Sequence, residues 1–157
     1  MNQDERLTKD ATMKFIKTEN TYKASNVELN LNTMTAVSYN WWTFLKVIDG
    51  QLVFNSYAYS PSTQRQQSKV LKVLAEKGIK IDFIIESKKS LTDSSLFDDA
   101  KELIDFDIKD LQDSINKKGS QKAKNEERTR TIEFLKQKKF MVDLFIQKSH
   151  VMAALVQ

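Results

Sequence analysis

The residues best suited to chemistry in this chain are cations. Lys117, Lys118, Lys122, Lys124, Arg128, Arg130, Lys136, Lys138 and Lys139 crowd one stretch late in the sequence. Such a group can neutralise several phosphates, with an affinity that falls steeply in salt because counterions are released on binding. A second basic group, Arg65 and Lys69, follows Ser60-Pro61, where the free N–H groups of a helix start can also hold a phosphate. A third group is aromatic: Trp42, Phe44, Tyr57 and Tyr59, interleaved with Lys46 and Asn55. Exposed rings stack on unpaired bases, each stack contributing roughly 1–3 kcal/mol. The expected contact set is Arg65, Lys69, Lys117, Lys118, Lys122, Lys124, Arg128, Arg130 and Lys136, with Trp42, Tyr57 and Tyr59 as stacking rings. The partner is nucleic acid or an acidic protein surface. Each group also has a plainer reading: cations on a solvated face or against acidic neighbours, and aromatics in the core beneath helices.

Charge is segregated along the chain. The formal net charge is +4, a mild bias that says little about partners. Residues 1–90 carry 13 Lys/Arg against 9 Asp/Glu, residues 91–115 carry 2 against 8, and residues 116–157 carry 10 against 4. An acidic block therefore precedes the basic one, and the average conceals both.

Enzymatic chemistry finds little to work with. There is no Cys, which removes thiol nucleophiles, cysteine-ligated zinc and iron–sulfur clusters and fits a reducing compartment. His150 is the only histidine, too few for a histidine metal site, and it reads as structural or surface. No glycine-rich loop precedes the helix start at Ser60, so a phosphate-cradling P-loop is excluded. Glu86-Ser87-Lys88 resembles the strand-borne Glu-x-Lys signature of restriction-type nucleases, in which carboxylates hold Mg²⁺ and the lysine helps to place water. Asp49 or Asp82 would have to supply the upstream carboxylate, and neither has that family's spacing. The expectation is a protein without catalytic residues, metal or cofactor, with the nuclease as a minor alternative.

The elements that must position these groups are legible in part. Asp49-Gly50 between apolar runs predicts a two-residue type I′ hairpin, since both central positions need positive φ. That pairs Ile48 with Gln51, Val47 with Leu52 and Leu45 with Phe54. Strict alternation puts Trp41, Thr43, Leu45, Val47, Leu52, Phe54, Ser56 and Ala58 on one face, which looks like core, and Trp42, Phe44, Lys46, Ile48, Gln51, Val53, Asn55, Tyr57 and Tyr59 on the other. Ser60 as cap and Pro61 at the first helical position start a helix over 61–77. Its apolar stripe is Gln67, Val70, Leu71 and Leu74, and Gly78 ends it. Ile79, Ile81, Phe83 and Ile85 alternate as a strand. Upstream, Thr12–Glu19 (Met13, Phe15, Thr18) is a weak strand, Asn20 a turn, and Val27, Leu29 and Leu31 have period two. Downstream, Thr92 or Asp93 caps one or two helices through Leu96, Ala100, Leu103, Ile104, Ile108, Leu111 and Ile115. Residues 116–125 read as a basic mobile loop. A last helix runs from about Glu127, with Ile132, Leu135, Val142, Phe145, Met152 and Val156 near one stripe, and it offers a homodimer seam.

The predicted fold is α+β: a mostly antiparallel sheet of four to six strands over 12–86 with one crossover helix, followed by a helical C-terminal half. The chain is expected to be one domain over 1–157, with residues 1–10 a frayed terminus, 12–90 the sheet plus helix and 91–157 the helical part. No apolar run approaches the ~20 residues of a membrane span. The N-terminal stretch has no signal-peptide core, so a cytoplasmic location is expected.

The run Phe54-Asn55-x-Tyr57-x-Tyr59-Ser60-x-Ser62-Thr63-x-x-Gln66-Gln67-x-x-Val70 resembles a segment of small uncharacterised bacteriophage-encoded proteins, over about residues 41–85. The family's pattern carries a His before the second Gln, where this chain has Gln66, and that departure weakens a catalytic reading. The resemblance implies an accessory protein that acts on host or phage macromolecules in the host cytoplasm, for example as a modulator of a host complex.

Overall fold

The computed structural model describes the backbone of residues 15–156 and the side chains of residues 15–148. The expected frayed segment 1–10, Met13, and the side chains of His150, Met152 and Val156 lie outside the described residues. The chain divides into two compact units, Met1–Asp93 and Ser94–Gln157. The fold is α+β.

The first unit holds a seven-stranded sheet in sequential order: β1 (Ile16–Thr18), β2 (Thr21–Ala24), β3 (Val27–Asn30), β4 (Thr35–Ser38), β5 (Trp42–Ile48), β6 (Gln51–Asn55) and β7 (Phe83–Ile85). The first six pair antiparallel, and β7 joins β6 in parallel after helix α1 (Pro61–Glu76). The sheet exceeds the expected four to six strands because residues 21–38 turn back twice on short links. Met34, Tyr39 and Asn40 adopt positive φ at such turns, where glycine would ordinarily announce one.

The central hairpin forms as its turn chemistry requires. Asp49 and Gly50 have φ of 49° and 79°, and Leu45 faces Phe54, Val47 faces Leu52 and Ile48 faces Gln51. The strict alternation, however, breaks at a bulge between β4 and β5. Ala36 pairs with Leu45, but Val37 pairs with Thr43 and Ser38 with Trp42. Phe44 is the extra residue. Side chains alternate faces along a strand, so one inserted residue reverses every position beyond it. Trp42 thereby joins Leu45 on the face of Ala36 and Ser38.

Helix α1 covers that face. Ser60 caps it, accepting from the Thr63 N–H at 3.2 Å, and Pro61 opens it. Val70 and Leu74 enter one cluster with Leu29, Ala36, Trp42, Phe44, Leu45 and Phe54, each apolar side chain contributing about 1.5–3 kcal/mol by burial. Leu71, expected on the buried stripe, is exposed, and Thr63 and Gln66 are buried instead. Gly78 ends the helix with φ of 67°.

The second unit is a pair of helices, α2 (Leu96–Asn116) and α3 (Lys122–Val156). Its buried positions include Ala100, Ile104, Ile132, Val142 and Phe145, and the Phe97 and Phe145 rings lie 5.5 Å apart. The α2 start differs from the expected Thr92 or Asp93 cap: Ser95 stands at the cap position, and its side chain does not cap the helix N–H groups. The connection is five residues, Lys117–Gln121, rather than the expected 116–125. Helix α3 begins ahead of Glu127 because polar groups support its first turns. Ser120 Oγ donates to the Ile115 carbonyl at 2.9 Å and accepts from Asn125 Nδ2 at 2.9 Å, and Arg128 donates to Asn125 Oδ1 at 2.9 Å. No apolar period marks such a start. Among the described residues no helix is long and apolar enough to cross a membrane.

Candidate functional site

The basic stretch forms the turn end of the helical pair. Lys117 and Lys118 lie in the connection, Lys122 and Lys124 in the first turn of α3, and all four are exposed. Arg130 is exposed, while Arg128 is half-buried through its bond to Asn125. Among the described residues, no ion pair engages Lys117, Lys118, Lys122 or Lys124. The ion pairs between the helices sit farther along the shaft, where Lys101 meets Asp143 at 3.3 Å and Lys139 meets Asp105 at 2.7 Å. Lys136 pairs with Glu133 on its own helix at 3.7 Å. Asp105 of α2 thus engages Lys139 and Asp143 of α3 engages Lys101, while the cations of the turn remain open to solvent. Beside them is an open depression of about 440 Å³ lined by Ser120, Lys122, Asn125, Glu126 and Thr129. Ser120, Asn125 and Thr129 use donors within the unit, Thr129 Oγ1 on the Asn125 carbonyl at 2.8 Å, so the charged groups of the lining are Lys122 and Glu126.

Arg65 and Lys69 belong to the other unit, on α1, the first exposed and the second half-buried. The aromatic residues also lie there. Trp42 was expected as a stacking ring, but it is 2% exposed. The bulge at Phe44 turns it inward, its ring stacks on Phe44 at 5.9 Å, and its Nε1 donates to the Lys88 carbonyl at 3.1 Å. Trp42 presents no face to a ligand. Its neighbour Trp41, assigned by alternation to the core face, is 56% exposed instead. Tyr59 is equally exposed, and Tyr57 is half-buried. No known protein family, curated protein or solved structure matches this chain.

A buried polar network sets the aromatic corner in place. Strand β6 ends at Asn55, and the segment after β7 fills the space beside β5. The Leu91 N–H donates to the Thr43 carbonyl, and the Thr43 N–H donates to Ser90 Oγ. Asn55, fully buried, ties this segment down. Its Nδ2 donates to the carbonyls of Ser87 and Lys89, and its Oδ1 accepts from the N–H groups of Ser87 and Tyr57. Gln67 Nε2 bridges the carbonyls of Asn55 and Tyr57, both at 2.9 Å. Gln66 accepts from Ser38 and donates to the Asn26 carbonyl. Asn55, Gln66 and Gln67 are therefore structural: each amide satisfies backbone groups that the end of a strand or a turn leaves open. A polar pair at the register of Val70 and Leu74 is the sequence signal for such a role.

The residues of the nuclease alternative are placed differently from a metal site. Asp82 accepts from the Leu52 N–H at 2.7 Å, so its carboxylate closes the sheet beside β6. Asp49 is the first residue of the hairpin turn. Among the described residues, no group of three metal-binding side chains is assembled.

Proposed function

We propose that this protein binds nucleic acid without enzymatic action, through the basic turn of its helical pair. The observation that carries this reading is the separation of charge within that unit. Lys101, Lys136 and Lys139 of the shaft are paired with carboxylates, while Lys117, Lys118, Lys122 and Lys124 stand exposed together in and beside one short turn. The contact is with the backbone and carries no base code, since lysines on a convex turn engage phosphates as point charges. The resemblance to phage-encoded proteins fits an accessory role in the host cytoplasm.

Fluorescence anisotropy with a labelled duplex tests the reading. Four phosphate contacts give a slope of about −3.6 in log K against log salt. Affinity then falls roughly two orders of magnitude between 50 and 200 mM salt. Replacing the four lysines by Glu abolishes binding at 50 mM. Binding that is absent, salt-independent or untouched by the replacement sinks the proposal. A partner that survives nuclease treatment and depends on the same lysines would transfer the site to an acidic protein.

A further inference from the structure

The first unit carries a second surface that the basic turn does not explain. Trp41 and Tyr59 come from separate elements, yet their rings meet edge to face at 5.9 Å and 86°. Each is 56% exposed, an unusual state for two large rings already in contact. Buried and hydrogen-bonded groups support Tyr59. Tyr59 also lies 6.0 Å from the buried Trp42, whose indole is hydrogen-bonded to Lys88, and 6.2 Å from Tyr57, whose N–H is held by Asn55.

The turn that presents Trp41 is strained. The Trp41 N–H reaches the Ser38 carbonyl at 3.2 Å, closing a four-residue turn with Tyr39 and Asn40 at φ of 50° and 64°. A bulky side chain at positive φ is uncommon, and such strain concentrates at binding and switching sites. Tyr39 is itself 43% exposed. The exposed Lys88 and Lys89 follow in the segment that holds the Trp42 indole. Flat π-faces, with the exposed Lys89 in the neighbouring segment, match the two parts of an unpaired nucleotide, a base to stack and a phosphate to neutralise.

We propose that Trp41 and Tyr59 form a stacking site for the unpaired bases of single-stranded nucleic acid. The site goes beyond the basic turn, since it lies in the other unit and reads bases rather than charge. In a duplex the bases are already stacked on one another, so this surface discriminates in favour of single strands.

The test compares a 12-nucleotide oligothymidylate with an abasic phosphodiester of the same length and charge, using intrinsic tryptophan emission and anisotropy on the full chain. Oligothymidylate quenches the emission and binds at least tenfold more tightly than the abasic strand. Trp41→Ala and Tyr59→Ala each remove about tenfold of that affinity, and leave binding of the abasic strand and the melting temperature unchanged. Equal affinity for the two strands with no quenching overturns the proposal, on unmodified protein and without recourse to any variant. If both strands then lose binding with the four lysines of the basic turn replaced, that turn stands alone. If quenching persists in that variant and the abasic strand binds as before, the aromatic site stands and the turn fails.

Discussion

Replacing Asn55 by Ala removes four hydrogen bonds in one substitution. The side chain is fully buried and holds two carbonyls and two N–H groups, at 2.9, 3.1, 3.2 and 3.1 Å. A hydrogen bond contributes about 1 kcal/mol net, and a partner left dry costs roughly 1–3 kcal/mol. The expected loss is therefore about 4 kcal/mol, a large share of the 5–15 kcal/mol typical of a folded domain. With a urea m-value of about 2 kcal/mol/M, the midpoint falls by about 2 M. Both tryptophans are adjacent to this network in sequence or space and lie in the same unit, so their emission reports the transition. Asn55→Asp keeps the volume but turns a carboxylate oxygen toward the Ser87 and Lys89 carbonyls, so it should lose as much. Asn30 provides the contrast: its Oδ1 accepts from Asn32 and Thr33 on an exposed turn, and Asn30→Ala should cost less than about 1 kcal/mol because water replaces the amide. A midpoint shift below about 0.5 M for both Asn55 variants would refute the assignment of this residue as the tie between strand end and following segment.

Two further predictions concern packing and strain. Val142 is 2% exposed in the helical pair and Phe134 is 63% exposed, so Val142→Ala should cost about 2–3 kcal/mol and Phe134→Ala less than about 0.5 kcal/mol, read from circular dichroism at 222 nm during thermal melting. Equal losses would mean that the inner and outer faces of α3 are misassigned. Tyr39 adopts a left-handed backbone that Asn tolerates far better, so Tyr39→Asn should stabilise by about 0.5–1 kcal/mol and raise the melting temperature by a few degrees. A fall would show that the ring contributes more to folding than its backbone costs.

The sequence revealed what local chemistry announces. Asp49-Gly50 and Ser60-Pro61 are unambiguous because each satisfies a specific backbone need. The turns at Met34 and Tyr39-Asn40 gave no such notice, since side chains occupy conformations normally left to glycine. The bulge at Phe44 was equally silent. It depends on how β4 meets β5, a tertiary matter, and it exchanged the fates of Trp41 and Trp42. The basic stretch was legible as charge, but the start of α3 at Lys122 was not, because Ser120 and Asn125 hold it with polar bonds that leave no apolar period. Alternation places Asn55 on a sheet face and helical spacing places Gln67 in a stripe, whereas their amides complete the backbone.

The filling of the gap beside β5 has a consequence in time. Asn55 waits for Lys89, 34 residues later in the chain, and a ribosome adding about 5–20 residues per second delivers them in about 2–7 s. Until β7 is made, the outer edge of β6, with Val53 and Phe54, has no strand against it, and a bare edge of that composition pairs with other chains. The nascent protein is most exposed to aggregation in that interval. A fragment ending before Phe83 never leaves it, and the hazard passes once β7 arrives and Asn55 binds the Ser87 and Lys89 carbonyls behind it.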